Sequence, residues 1–313
     1  MKNFTRILAV LLTAMTILSL AACAKAPAEP TSPVSSEPVS SEPVTEPEIT
    51  LTLTPKSGDA VSVTGDGTVG VSLEAPAKYQ SGDTVTATLP EGYHYLAVSL
   101  GKTAGEAILY LADGSFLYKI QPDAANYLPP LLLRSKQHIT ARIPTAEEIA
   151  ESRNLARNPY DHKDQKSTVF PHASTSNQYN KAEFGAHNAI DGNCKNTSHG
   201  NYPYESWGTY EAVKTTDYFM IDFGREVKAD TLTLYLRADF AGNHDAYFST
   251  VIVETSDGGK QAIHPVRSAD AQTFELGGVT TSFVRLTGFV TDKSKGTWSG
   301  YTEVEVNGSE LAG

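Results

Sequence analysis

Three polar side chains at alternating positions, Tyr235, Arg237 and Asp239, are the residues best placed to contact a ligand. They follow the apolar positions of the stretch 217–240, which is predicted to form two apolar strands joined by a charged turn. From Thr231 onward the alternation predicts a half-buried strand, so these three side chains should face solvent. The inward face of that strand carries Leu232, Leu234 and Leu236. An aromatic, an arginine and an aspartate in one outward row predict a ligand-binding surface rather than a catalytic centre.

Patterns that enzymes use are largely missing from the sequence. There is no G-x-S-x-G nucleophile elbow, and Ser299, the nearest serine between glycines, has the wrong spacing. Cys194 has His187 and His199 near it in sequence, but a lone loop cysteine is more often a bystander than a nucleophile. No H-E-x-x-H spacing occurs among the eight histidines. A glycosidase-like carboxylate pair stays open, because nothing distinguishes four acidic candidates: Asp222, Asp239, Asp245 and Glu254.

An oxygen-rich loop is the best candidate for a metal site. In the segment 188–193, the Asp191 carboxylate stands beside Gly192 and carbonyls that a glycine turn can expose. Calcium prefers several oxygen ligands of this flexible kind. Glu303 would add a second carboxylate if the first and last segments of its domain lie side by side. An Asx-turn without any metal explains the same residues and remains the alternative.

The order of several short motifs resembles that of the discoidin-like family. The motifs are 189–192 (AIDG), Trp207, 220–224 (MIDFG), 254–258 (ETSDG) and 301–304 (YTEV). Taken together, residues 155–308 resemble the coagulation-factor type C, galactose-binding-like carbohydrate-binding modules. The resemblance implies an eight-stranded antiparallel jelly-roll β-sandwich that binds glycans through loops at one end.

The same resemblance implies a structural calcium ion near the Asp-Gly loop. Asp191 and Glu303 match the acidic calcium ligands of the family, and four further residues match as oxygen donors: Asn188, Asn193, Ser198 and Thr302. The chain departs from the family by lacking the terminal disulfide of its animal members. It also carries His199-Gly200 where a tryptophan often follows, which puts the usual conformation of that loop in doubt.

The sugar-contacting residues have to be chosen by their chemistry. Sugar sites combine an aromatic ring, which stacks on the apolar face of a pyranose, with planar polar groups that bind hydroxyls. Three clusters offer such groups: His199, Tyr202, Tyr204 and Trp207; Arg237, Asp239, Phe240, His244, Asp245 and Tyr247; Trp298 and Tyr301. Two alternatives stay open, a core position for Trp207 and a surface ion pair between Arg237 and Asp239. Trp298, which lies in a glycine-rich loop, is the aromatic residue most expected to be exposed.

The amino terminus predicts export and lipidation. Residues 1–22 have a basic start and an apolar stretch too short for a mature transmembrane helix, which is typical of a signal peptide. The ending Leu20-Ala21-Ala22-Cys23 resembles the lipobox of bacterial lipoproteins, in which Cys23 is lipidated; an ordinary secretory signal is the alternative. Cys194 is then the only other cysteine, so no internal disulfide is expected. The formal net charge of −11 disfavours nucleic acid as a partner.

The remaining chain is predicted to be all-β. Residues 23–47 form a Pro, Ser and Glu tether with a repeated SSEPV, disordered and able to reach roughly 80 Å. Alternating runs across 48–144 predict an N-terminal β-sandwich, in which Asp113-Gly114 favours a hairpin. Thr145 and Glu148 form a capping box that predicts a linking helix over 145–157. The carbohydrate-binding domain follows at 158–308.

The sequence therefore predicts a non-catalytic, glycan-binding lipoprotein anchored to the outer face of a bacterial cell membrane. Two other functions remain open. One is a protein-binding adhesin or assembly factor that uses the same loops. The other is an enzyme acting on cell-wall or host glycans.

Overall fold

Alternating apolar residues build the first half of the described chain into two antiparallel sheets. In a computed structural model, the described residues are 46–74, 79–101, 105–120, 138–161, 168–179, 184–195, 206–210, 212–237, 246–292 and 298–311. The strands of this half are β1 (Glu48–Thr54), β2 (Val61–Asp66), β3 (Val71–Glu74), β4 (Thr84–Thr88), β5 (Tyr95–Ser99), β6 (Ala107–Leu111), β7 (Ser115–Lys119) and β8 (His138–Arg142). One sheet has the order β2-β1-β4-β7, and β6-β5-β8-β3 run side by side in the other. Both sheets contribute to one apolar core, with inward residues such as Leu51, Val85, Leu96 and Leu109.

The turn at Asp113-Gly114 does not make the predicted hairpin. The flanking strands β6 and β7 belong to different sheets, so the turn carries the chain across the core instead. Gly114 has φ +70°, and the Asp113 carboxylate accepts hydrogen bonds from the backbone N and the hydroxyl of Ser115. The local turn chemistry was thus predicted, but the pairing of its two strands is decided by the core.

The linking helix is shorter than predicted. Helix α1 spans Ala146–Ala150, and both hydrogen bonds of the Thr145–Glu148 capping box are formed. The predicted extension to residue 157 is wrong, because the next residues form strand β9 (Arg153–Asn154), which pairs with the last strand of the chain. Helix α1 buries none of its residues, whereas Leu155 beyond it is buried in the second core. Burial and strand pairing therefore outweigh the helical propensity of this segment.

The second half forms an eight-stranded antiparallel sheet. After β9, its strands are β11 (His172–Thr175), β12 (Trp207–Gly208), β13 (Phe219–Leu236), β14 (Tyr247–Thr255), β15 (Lys260–Ile263), β16 (Gln272–Asp292) and β17 (Gly300–Glu310). The order is β12-β17-β13-β16-β14-β15, with β11 beside β13 and β9 beside β17. Strand β10 (Val169–Phe170) belongs to the second half of the chain but pairs with β6, in a sheet of the first half. Among the residues that the structure describes, the regular elements other than α1 and a 3-10 helix at Ala186–Ala189 are strands, and the all-β prediction is confirmed.

Strand β13 is continuous, although two strands were predicted from its sequence. Its 18 residues change register between Asp222 and Val227, where the predicted charged turn falls. Gly224 has φ +68°, and a Cβ atom there would lie 2.2 Å from the Phe170 ring. The strand before this bend pairs with β11, and the strand after it pairs with β17. The two ends of β13 consequently approach each other, since Phe219 contacts Tyr301, the partner of Leu236.

Residues on both sides of the predicted boundary at residue 158 contribute to the first core. All described residues belong to one compact unit, Thr45–Gly313. Tyr160 and Val169 lie in the first core although they follow the predicted boundary. Within the described residues, no helix has the length and apolar character needed to span a bilayer.

Candidate ligand-binding site

Four chain segments meet at the end of the second sheet where β13 begins and ends. Backbone hydrogen bonds tie them together: Tyr179 N donates to Gly208 O at 2.8 Å, and Thr209 N donates to Ser299 O at 3.0 Å. Arg237 N donates to Gly300 O at 3.1 Å, so the end of β13 joins the same cluster. The loops are therefore fixed by paired backbone groups rather than by side chains alone.

Three aromatic side chains lie together at this end and are named here the aromatic platform: Tyr179, Tyr210 and Trp298. Tyr210 is 60% exposed and Tyr179 is 44% exposed. Their ring centroids are 5.8 Å apart with planes tilted by 34°, and Trp298 meets Tyr179 edge-on at 4.9 Å and 89°. In such an arrangement, the exposed rings offer a flat face on which an apolar ligand surface can stack, and a roughly perpendicular ring beside it.

Trp298 was expected to be exposed and is half-buried in this platform. Tyr179 and Tyr210 were missed from the sequence, because isolated tyrosines in polar loops look like many others. The available signal was weak: Tyr210 lies two residues after the short strand Trp207–Gly208, whose tryptophan packs in the core.

Arg237 is not part of an exposed row, which corrects the sequence prediction. Only 4% of it is exposed, its guanidinium lies 4.8 Å from the Phe184 ring centroid, and it donates to the Ser206 hydroxyl. The alternation fails because the β13–β17 register shifts at Tyr235 and Leu236, and the strand ends there. Loop residues then cover the next side chain. Arg237 supports the platform loops from beneath.

Trp207 is fully buried, which corrects its assignment as a ligand residue. Its indole Nε1 donates to Asn177 O at 3.0 Å, and its ring packs 5.0 Å from Phe219 and 5.5 Å from Tyr301. The core alternative for this tryptophan is therefore the one that the structure shows. Tyr301, also fully buried, belongs to the same core cluster.

The other predicted ligand residues have different positions. Tyr247 begins β14, is half-buried and packs against the second core. Seven predicted residues lie outside the described ones: His199, Tyr202, Tyr204, Asp239, Phe240, His244 and Asp245. The Tyr235 side chain lies at Cys194 and Glu305 instead, and burial followed by the Glu305 charge raises its pKa to about 12.

Cys194 is a poor candidate for a nucleophile. Burial, followed by the charge of Glu303, raises the pKa of its thiol to about 11, so it stays protonated at neutral pH. The thiol lies 3.7 Å from Glu305 Oε1. These surroundings do not favour the Cys/His pair that its neighbours in sequence suggested.

Asp191 and Glu303 are brought together, as the sequence required for a shared metal site. Gly192 N donates to Glu303 Oε1 at 3.0 Å, and Asn193 N donates to Asp191 Oδ1 at 2.8 Å. Glu303 is fully buried, and its Oε2 has no hydrogen-bond partner among the described atoms. Burial, followed by the Asp191 charge, raises the pKa of Glu303 well above its ordinary value. A buried carboxylate with an unpaired oxygen fits a bound cation.

The surroundings of these carboxylates hold both oxygen donors and a positive charge. Asn188 and Thr302 are buried nearby in the chain, while Ser198 lies outside the described residues. Gly192 has φ +91°, and a Cβ atom there would lie 2.7 Å from Arg157 Nε. No cluster of three or more His, Cys, Asp or Glu side chains suited to a metal ion occurs in the described part of the chain. A cation here would thus depend on backbone and amide oxygens as well as the two carboxylates.

Comparison with known proteins gives structural likeness without sequence relatives. No protein-family model and no curated protein matches the chain. Three solved structures illustrate the likeness. Chitosan-binding module 2 of a chitosanase/glucanase from Paenibacillus sp. IK-5, in complex with chitotriose, is 17% identical, and the match covers 49% of this chain and 98% of that one, with a TM-score of 0.33.

The second is the fucose-binding module SpX-3 of Streptococcus pneumoniae, 19% identical over 49% of this chain and 96% of that one, with a TM-score of 0.33. The third is the family 32 carbohydrate-binding module of C. perfringens NanJ with galactose, 13% identical over 43% and 91%, also with a TM-score of 0.33. All three are carbohydrate-binding modules, the class that the order of motifs resembles. Because the TM-scores are below 0.5, the functional argument rests on this chain's own residues.

Proposed function

We propose that this protein binds carbohydrate through the aromatic platform and performs no catalysis. The observation that carries the proposal is the exposure of Tyr210 and Tyr179 beside Trp298 on loops held by backbone hydrogen bonds. Aromatic faces bind the apolar C–H faces of sugar rings, and loops fixed in advance lose little conformational entropy on binding. Arg237 contributes by holding the loops, not by contacting hydroxyl groups.

We also propose that calcium braces this end of the fold. Asp191 and Glu303 would supply the charged oxygens, and four residues the neutral ones: Asn188, Asn193, Ser198 and Thr302. The unpaired Glu303 Oε2 supports this assignment. When bound, the ion would neutralise two carboxylates that otherwise repel each other in a buried site.

The proposed location is the outer face of a bacterial cell membrane. Cleavage before Cys23 and its lipidation would anchor the chain, and residues 23–47 would act as the tether. Such a display suits weak individual binding, because many tethered copies engage a glycan surface together.

The platform is tested by binding assays with the soluble chain Thr45–Gly313. Immobilised galactose, fucose and chitotriose serve as probes. These are the sugars named with the three structurally similar modules. Replacing Tyr210→Ala or Trp298→Ala should lower affinity by roughly fivefold, the loss expected for an aromatic contact of about 1 kcal/mol. Tyr93→Ala is the matched control, because Tyr93 is 39% exposed on the first half.

Equal binding by the two platform variants and the wild type would contradict the site. Platform-dependent capture of a protein that free glycans do not compete away would favour the adhesin alternative. Release of soluble sugar from a polysaccharide would favour the enzyme alternative.

A further inference from the structure

Asn177 lies two residues before Tyr179 of the aromatic platform and bonds to the segment 206–210, which carries Tyr210. It is 8% exposed. Its side-chain Oδ1 accepts from Tyr210 N at 2.9 Å, and its backbone carbonyl accepts from Trp207 Nε1 at 3.0 Å. One residue thus links the buried tryptophan of the core to the most exposed ring of the platform.

Asp217 orients the amide of Asn177. Its Oδ2 accepts from Asn177 Nδ2 at 2.9 Å and from Lys214 N at 2.8 Å, and its Oδ1 accepts from the Ser176 hydroxyl at 3.2 Å. Burial would raise the pKa of Asp217, but these hydrogen bonds hold it below its ordinary value. The ionised carboxylate only accepts, so it selects the orientation of Asn177 in which Nδ2 points to Asp217 and Oδ1 to Tyr210.

The bonding pattern requires a donor and an acceptor on one short side chain. An aspartate at position 177 would accept from Tyr210 N but would face the Asp217 carboxylate. An asparagine at position 217 would keep the bond from Asn177 Nδ2 through its carbonyl oxygen, but it would lose the negative charge and would turn an N–H toward the Ser176 hydroxyl. At position 177, an amide is therefore needed to bond both Tyr210 N and the Asp217 carboxylate.

We propose that Asn177 and Asp217 are positioning residues for the carbohydrate site, which fix Tyr210 relative to Tyr179 without contacting the ligand. This proposal rests on the proposed function only where carbohydrate binding is the quantity measured. Backbone order at Tyr210 is an independent readout, because it needs no ligand. Binding groups must be held by side chains that are themselves locked, and this pair is the locking element under the platform.

The test removes the bonding groups of the two residues in the chain Thr45–Gly313. Three variants are compared with the wild type: Asn177→Ala, Asp217→Ala and Asp217→Asn. Asn177→Ala removes the acceptor of Tyr210 N and Asp217→Ala removes the acceptor of Asn177 Nδ2, whereas Asp217→Asn keeps an oxygen that can accept from Asn177 Nδ2 and Lys214 N. Amide hydrogen exchange over 206–210 is measured by mass spectrometry without ligand, and binding is measured to immobilised galactose, fucose and chitotriose.

Each alanine variant should speed exchange at 206–210 by roughly tenfold and weaken binding by a similar factor, and Asp217→Asn should show a smaller effect on both. Exchange rates that stay at the wild-type value in both alanine variants overturn the proposal. So does an Asp217→Asn variant that is as impaired as Asp217→Ala, or loss of the cooperative unfolding transition in the alanine variants, which would make the pair a support of the whole fold. If the wild type binds none of the probes while exchange follows the expected pattern, the binding proposal fails and the positioning role stands.

Discussion

At the residue scale, the environment of a side chain rather than its type decides whether it serves the core or the surface. The chain has two tryptophans, each with a glycine within two residues in the sequence. Trp207 is fully buried and satisfies its indole N–H inside the protein, whereas Trp298 is half-buried beside the exposed Tyr179. Composition cannot separate the two cases, because the difference arises from strand β12 pairing with β17.

The pairing of Asp191 with Glu303 was predictable, and the burial of Arg237 was not. The first prediction needed only the order of motifs and the assumption that the ends of a β-domain lie together, which the bond from Gly192 N to Glu303 bears out. The second relied on alternation, which has no meaning beyond the last paired residue, Leu236. Sequence periodicity therefore locates residues within strands better than at their ends.

The proposed cation site gives a prediction at this scale. Glu303→Gln should abolish the rise in melting temperature, expected to be several degrees, that calcium gives the wild-type protein, because the amide cannot supply the charged ligand. Thermal unfolding with calcium and with chelator measures this. Glu226→Gln, an exposed change on β13, serves as the control and should keep the full calcium response. A wild-type melting temperature that is the same in calcium and in chelator would contradict the proposed metal.

At the scale of elements, local signals were right where they concern one turn and wrong where partners lie far away in sequence. The capping box at Thr145 forms as predicted, but the end of α1 is set by the pairing of Arg153 and Asn154 with β17. The Asp113-Gly114 turn forms, but β6 and β7 pair in different sheets. Such pairings depend on which faces become buried, and a single strand does not contain that information.

Strand β11 gives a pH prediction. His172 Nδ1 lies 2.6 Å from Asp161 Oδ1, and Asp222 is its partner across the ladder. Burial lowers the pKa of His172, but the hydrogen bond and charge of Asp161, with the charge of Asp222, raise it above 6.5 overall. The folded state then holds this proton more tightly than the unfolded state, so its stabilising contribution is present below about pH 6.5 and is lost as pH rises through the folded-state value.

His172→Gln should remove that part of the pH dependence. Urea unfolding between pH 5.5 and about pH 8.5 should show a decline in the wild-type free energy of unfolding that is absent from the variant. His264→Gln, at an exposed position, should behave as the wild type. Parallel pH profiles for His172→Gln and the wild type would rule out the assignment.

At the scale of the whole molecule, a mostly buried cluster of charged and aromatic side chains connects the two halves of the chain. Glu310, near the carboxyl end, accepts from Arg153 and Arg225 of the second half and from the Tyr95 hydroxyl of the first. The Arg225 guanidinium also lies 4.7 Å from the Tyr110 ring centroid. The fold class was predictable from alternation, but this joint was not, because Tyr95 and Glu310 lie 215 residues apart in the sequence.

Loss of the Glu310 carboxylate from this joint should lower the stability of the protein more than loss of an exposed ion pair. Glu310→Gln leaves two mostly buried guanidinium groups without their carboxylate, which should lower the free energy of unfolding by about 3–5 kcal/mol. Chemical denaturation measures the change. The exposed pair of Lys260 and Glu254 is the matched control, and Lys260→Ala should cost less than about 1 kcal/mol. Similar losses for the two variants would mean that the joint does not hold the halves together.

The most direct test of the central claim is a glycan array probed with the chain Thr45–Gly313 and with its Tyr210→Ala/Trp298→Ala double variant. Carbohydrate binding through the aromatic platform predicts a defined set of bound glycans for the wild type, and loss of that set in the double variant at an unchanged melting temperature. No bound glycan for the folded wild-type chain, or the same glycans bound equally by the double variant, would contradict it.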